Sequence, residues 1–282
     1  MNKWVILVII VIVIIILGIG GYLLYLQMTT PKPCGNCSSV SPTPSGTVSI
    51  PETQAKIVFL HHSTGQVIWD GGVKDWFDNY NIENGTNFDI SELVFPKDSP
   101  YGWNNYPYDY YNIWVKNGAG AEYKTEPTLN ALTKDYNVII LKHCFPVSDI
   151  EADTGSPDIN SETKSIENYQ LQYDALKEKM HEFKDIKFIV WTGAAQVRGA
   201  SNNEYAERAE TFFKWVKNEW DETGDNIYIF DFYNLETEGG LYLKGEYAVS
   251  NDDSHPNETF AKRVAPIFGQ RVVDVISGQG DK

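Results

Sequence analysis

The sequence predicts an α/β protein: a three-layer α/β/α domain around a central parallel sheet of five strands, with one N-terminal transmembrane helix ahead of it. Three observations carry this prediction. Short apolar runs recur at residues 56–60 (KIVFL), 90–95, 137–141 (NVIIL), 187–191 (KFIVW) and 226–230 (NIYIF). Runs this short and this apolar suit strands buried on both faces, the condition of a parallel sheet. Between them lie segments whose apolar residues advance by three or four, as a core-facing helical stripe requires. The first 26 residues, by contrast, hold a single charged side chain, Lys3.

From the N-terminus, residues 4–26 form a charge-free run rich in Ile, Val and Leu. At about 1.5 Å per residue such a helix crosses a hydrocarbon core of about 30 Å. A cleaved signal peptide would have a shorter apolar region, of about 7–15 residues, followed by small residues. This run ends Tyr22-Leu-Leu-Tyr-Leu26 with no A-x-A. An uncleaved anchor over 1–27 is therefore expected. Lys3 and the amino terminus favour a cytoplasmic start, with Lys32 as counterweight, so the large domain is expected outside a cell membrane crossed once. Residues 28–53 read as a tether, in which Pro31, Pro33, Pro42, Pro44 and Pro51 alternate with Ser, Thr and Gly. Cys34 and Cys37 lie within it, and a local disulfide or a cross-link between chains suits an exported segment better than zinc, which needs two more ligands nearby.

Residues 54–282 are expected to form one domain. The first strand ends at His61-His62-Ser63 and passes into a turn at Thr64-Gly65. Gly71-Gly72 precedes a helix over 73–80. One helical stripe runs through Ile166, Tyr169, Tyr173, Leu176, Met180 and Phe183, another through Tyr205, Ala209, Phe212, Val216 and Trp220. A last helix is expected from about Pro256 to Ile276, kinked at Pro266. Residues 96–127 break the pattern with Tyr101, Trp103, Tyr106, Tyr108, Tyr110, Tyr111, Trp114 and Tyr123. Two readings stay open for them: a lid packed on the domain's own surface, or a platform on which sugar rings or acyl chains stack.

Thirty-eight acidic against 23 basic residues, a net charge of −15, leave no basic face for nucleic acid. Of the five histidines, His61 and His62 end strand one, His143 ends strand three and His255 opens the last helix. The carboxyl ends of the strands line the ligand crevice of a doubly wound sheet, so these four gather at one edge. Ser63 stands at the same edge. Its hydroxyl is a weak nucleophile without a base. His255 can serve as that base, and a carboxylate on the far ring nitrogen would fix its tautomer. Asp252, three residues before His255, has room to turn toward the ring, and adjacent Asp253 is the competitor. Asp252 is the favoured partner. Metal-dependent hydrolysis ranks behind this reading, because the histidines lack a spacing such as H-E-x-x-H. No metal and no cofactor is expected.

These residues resemble the SGNH/GDSL hydrolases. The first block here is Phe59-Leu-His-His-Ser-Thr-Gly65, with His-His where that superfamily has Gly-Asp. The last is Asp252-Asp-Ser-His-Pro-Asn257, of the D-x-x-H form. The resemblance covers about residues 55–277. It implies a flavodoxin-like domain with strand order 2-1-3-4-5, and ester hydrolysis by Ser63, His255 and Asp252. The family's G-x-N-D block is absent, and Lys142-His-Cys-Phe145 stands in its place, with Cys144 at the asparagine. Oxyanion or pocket roles then fall to His62, Gly102 or His143, with Asn104 or Asn105 as further donors. The expected activity is that of a membrane-anchored extracytoplasmic serine esterase acting on an ester substrate, O-acylated carbohydrate first among them. The alternative is a catalytically inactive glycan-binding or cell-surface module on the same fold.

Overall fold

The computed structural model describes residues 52–102 and 105–281. The anchor expected over 1–27 and almost all of the tether, with Cys34 and Cys37, lie outside the described residues. Among the described residues no helix is long and apolar enough to cross a membrane.

In chain order the elements are β1 (Gln54–His61), α1 (Ser63–Asp70), α2 (Val73–Asn84), β2 (Asn87–Val94), α3 (Pro107–Tyr111), a two-stranded hairpin β3 (Glu122–Tyr123) and β4 (Glu126–Pro127), α4 (Leu129–Asp135), β5 (Val138–Leu141), α5 (Ile166–His181), β6 (Lys187–Trp191), α6 (Asn203–Trp215), β7 (Ile227–Phe230), α7 (Phe232–Thr237) and α8 (Glu258–Ile276). A single π turn follows each of α3 and α6, and a 3₁₀ turn spans Phe145–Ser148. The five main strands are all parallel, in the order β2-β1-β5-β6-β7. Counting only these strands, that order is 2-1-3-4-5, so the direction of winding reverses between β1 and β5, where ligands bind in such sheets.

Alternation along each strand divides the core. Ile57 and Phe59 of β1, Val138 and Ile140 of β5 and Ile189 and Trp191 of β6 pack against α1, α2 and α8. Val58, Leu60, Ile139, Leu141, Phe188 and Val190 face the opposite layer, which contains α5 and α6. A side-chain period of two requires this division, and it governs which way the residues just beyond each strand point.

Two expectations change. The turn at Thr64-Gly65 is the first turn of α1, because Ser63 already has helical geometry and the Gly65 and Gln66 amides donate to the His62 carbonyl at 2.7 and 3.1 Å. Of the two readings left open for 96–127, the packed one describes most of its aromatics. Tyr106, Tyr110 and Trp114 are at most 2% exposed, and Tyr101, Tyr108 and Tyr111 are buried beside them. Phe95 and Tyr110 lie 5.0 Å apart, and Tyr110 meets Trp114 edge-on at 5.0 Å. A run of aromatics without period is still a large apolar area, and burying it against the sheet removes that area from water.

Candidate active site

Ser63 is the first residue of α1, directly beyond the carboxyl end of β1. The helix start has two consequences. It lifts the hydroxyl out of the strand, and it leaves the Ser63 and Thr64 amides without an intrahelical acceptor. The His62 side chain does not cap them. Gly65 allows the close return of the helix over the strand, for a Cβ there would stand 2.3 Å from the His61 Cβ.

Among the described residues the Ser63 hydroxyl hydrogen-bonds the Cys144 thiol, Oγ to Sγ 3.1 Å, and not His255. The Thr64 hydroxyl donates to the same sulfur at 3.7 Å. The ammonium of Lys142 donates to the Thr64 hydroxyl, and to the His143 carbonyl at 2.9 Å. Lys142 continues the parity of Val138 and Ile140, so it points into the α1/α8 layer. There it is 1% exposed, with its ammonium over the rings of Phe232 and Trp191 at 5.1 and 5.9 Å. Burial pulls its pKa down, while Cys144 and Glu236 favour its charge. Glu236 of α7 is fully buried and accepts the Ala195 amide at 2.6 Å. Burial raises its carboxyl to about 8, against the opposing pull of Lys142.

His255 precedes α8. Its Nδ1 lies 2.6 Å from Asp253 Oδ1, which also accepts the His255 amide at 2.9 Å. The amide bond first, and the ring second, hold the Asp253 carboxyl below its usual value. The favoured assignment is therefore corrected. Asp252 turns its carboxylate to the Ser250 hydroxyl at 2.5 Å, and Asp253 is the partner of His255. Folding the chain back over two residues lets one carboxylate oxygen accept from both the amide and the ring of His255. The His255 ring packs edge-on against Phe145 at 5.4 Å. The dipeptide Cys144-Phe145 thus touches Ser63 through its first side chain and His255 through its second.

The remaining expected pocket residues are directed elsewhere. His143 continues the parity of Ile139 and Leu141 into the opposite layer. It is buried there, with Nε2 at 2.9 Å from the Tyr173 hydroxyl and its ring against Tyr110. Burial lowers its pKa to about 3, so it is neutral. Gly102, at φ 82°, donates its amide to the Asp98 carbonyl at 2.7 Å and closes a turn, which removes it as an oxyanion donor. The ring of His62 faces Asp98, with Nε2 3.8 Å from Oδ1. His61 binds Glu92 at 2.9 Å, and burial lowers its pKa to about 4. Asn105 spends its side-chain amide on the Phe95 carbonyl at 2.7 Å and its side-chain oxygen on the Cys144 amide. Asn104 lies outside the described residues. The four edge histidines therefore diverge, and among the described residues no three His, Cys, Asp or Glu side chains converge to hold a metal ion.

The sequence assigns no functional role to Lys142, Thr64 or Glu236. The signal for Lys142 was its register: two residues after Ile140, it continues the buried row of a strand with no partner visible in the sequence.

No protein-family model and no curated protein matches this chain. Among solved structures, a gut microbial diltiazem-metabolizing enzyme is similar over 83% of this chain, with a TM-score of 0.47 and 11% identity. The chain spans about half the length of that protein, 48% of which is covered. A likeness at that level says nothing of activity.

Proposed function

We propose that the domain is a serine ester hydrolase of the SGNH/GDSL kind. Ser63 attacks the ester carbonyl while His255 takes the serine proton, and Asp253, accepting from the His255 Nδ1–H, holds the ring and stabilises its charged form. The free Ser63 and Thr64 amides receive the developing oxyanion. His255 returns the proton to the leaving alcohol, and an acyl-serine remains. Water, deprotonated by His255, then attacks the acyl-serine. The carboxylic acid leaves, and the proton returns to Ser63.

The observation supporting this is the arrangement around Cys144-Phe145. A helix-start serine and a carboxylate-paired histidine border the same two residues, at the sheet edge between β1 and β5. The preference for acylated sugar rested on an aromatic platform. Tyr101, Tyr106, Tyr108, Tyr110, Tyr111 and Trp114 are buried, so an ester is named here without commitment to carbohydrate, and a glycan-binding module loses the same support. The acidity of the chain favours a neutral ester over an anionic polymer.

We also propose that residues 1–27 anchor the chain in a membrane with this domain outside. One experiment addresses both proposals: a fluorophosphonate probe applied to the full chain in its host cells, in membrane-permeant and impermeant forms. The esterase reading expects labelling of wild type and none of Ser63→Ala, and equal labelling of the two overturns it. The outer location expects both probe forms to label intact cells. Labelling by the permeant form alone overturns that location and leaves the esterase standing.

A further inference from the structure

A buried lysine without a close carboxylate is costly, and Lys142 stands at the floor of the proposed site. Among the described residues no ion pair is formed by its ammonium. Glu236 of α7 acts on it only through space, and burial raises that carboxyl to about 8. An apolar side chain of similar length would carry no such desolvation cost. The position therefore calls for a reason other than stability.

The hydrogen-bond directions supply one. An ammonium has three donors and no acceptor. The Thr64 oxygen must therefore accept from Lys142, and its own hydrogen is the one aimed at the Cys144 sulfur. Either atom of the Ser63–Cys144 contact, 3.1 Å long, can be the donor; a sulfur that already accepts from Thr64 has its thiol hydrogen available to the Ser63 oxygen. Ser63 then accepts from Cys144, and its own proton is free to turn into the crevice. Without the cation, Thr64 can reverse. Ser63 could then donate to the sulfur and hold its proton away from any base.

We propose that Lys142 is a positioning residue for Ser63: through Thr64 and Cys144 it fixes the direction of a hydrogen-bond chain, so that Ser63 accepts at its oxygen and presents its own proton to the base. This rests on the reading of Ser63 as nucleophile. The residues of the chain come from two elements, α1 and the turn after β5, and each hydrogen in it has one acceptor. No covalent step is added. The chain is set before substrate arrives, and it acts on the rate of proton removal rather than on binding.

The test compares Thr64→Val, Thr64→Ser, Lys142→Met and the double variant Thr64→Val/Lys142→Met, with Ser63→Ala as reference, in fluorophosphonate labelling and ester turnover. Losing one oriented hydrogen bond is expected to slow labelling and kcat about tenfold, with KM within about twofold. Thr64→Ser, which keeps the hydroxyl, recovers most of that loss. Lys142→Met is expected to match Thr64→Val while melting no lower than wild type, and the double variant to be no slower than either single one. Labelling of Thr64→Val at the wild-type rate overturns the proposal, as do losses that multiply in the double variant. If Lys142→Met does not fold, Thr64→Val and Thr64→Ser decide alone. Equal labelling of Ser63→Ala and wild type removes the esterase reading and this one with it. A silent Ser63→Ala beside an unaffected Thr64→Val removes this one only.

Discussion

The two sides of the proposed site, that of Ser63 as nucleophile and that of His255 as base, are built differently. On the Ser63 side, His61, Thr64, Lys142 and Cys144 are all buried, and their polar atoms are joined to one another, to neighbouring backbone or, for His61, to Glu92. On the base side, the His255 and Asp253 side chains are 31% and 44% exposed, and their contact is local, between residues two apart. Buried polar groups must be satisfied in full, so packing dictates the direction of each bond. An exposed pair is held by the chain between its members, and water can replace what is lost. The nucleophile side should therefore be sensitive to shape and burial, the base side to one carboxylate.

The largest effect belongs to that carboxylate. Asp253→Asn removes the charge that orients His255 and stabilises its imidazolium, a change expected to lower kcat by about 10²–10⁴-fold. Asp252→Asn, whose carboxylate is directed at Ser250, should stay within about twofold. Steady-state kinetics on any accepted ester reads both. Comparable losses in the two variants would undo the assignment of Asp253.

How much of this was legible in the sequence follows the same division. Four of the five sheet strands announce themselves, because strands buried on both faces need apolar runs such as Val138-Ile-Ile-Leu141; the edge strand β2, which carries Asp89, Ser91 and Glu92, shows only its second half. The helix start at Ser63 did not, since His62 offers no capping side chain and Gly65 reads as a turn. The exchange of Asp252 for Asp253 turns on backbone geometry within the loop between α7 and α8, which composition does not encode. The aromatic segment 96–127 lacks period because α3, a π turn and a two-stranded hairpin follow one another within it. His143 and Lys142 were separable by parity: adjacent residues at the end of a buried strand enter opposite layers, so the histidine joins Tyr173 and the lysine joins the site floor.

The next effect is one of pH, and it belongs to the buried side. His61 and His143 have folded values of about 4 and about 3 against 6.5 when unfolded, both through desolvation first. Below pH 6.5 the unfolded chain binds protons that the folded chain refuses. Stability is thus full above pH 6.5 and declines as pH falls toward 4, by roughly 3 kcal/mol for His61 alone. Glu236 acts in the opposite sense: its raised value means stability is full below pH 4.5 and is lost as pH rises through about 8. Denaturant titrations at fixed pH values should therefore show a shallower acid-side decline for His143→Phe than for wild type. An unchanged slope would mean that His143 is not the buried neutral group described.

The smallest effect separates the two sides by shape alone. A Cβ on Gly65 would meet the His61 Cβ at 2.3 Å and Cγ at 2.6 Å, atoms fixed by β1 and by the Glu92 bond, so the first turn of α1 must move. A Cβ on Gly245, in the exposed loop leading to Asp253, would meet only the Asn251 side-chain oxygen at 3.7 Å, an ordinary contact. Gly65→Ala should cost about 1–3 kcal/mol through overpacking, lowering Tm by several degrees, roughly 2–4 °C per kcal/mol in a domain of this size. It should also slow Ser63 labelling, because the turn that moves carries Ser63 and Thr64. Gly245→Ala should change Tm by about 1 °C or less, as exposed substitutions do. A Gly65→Ala chain as stable and as reactive as wild type would mean that α1 can shift freely over β1. The nucleophile side would then be no more tightly built than the base side.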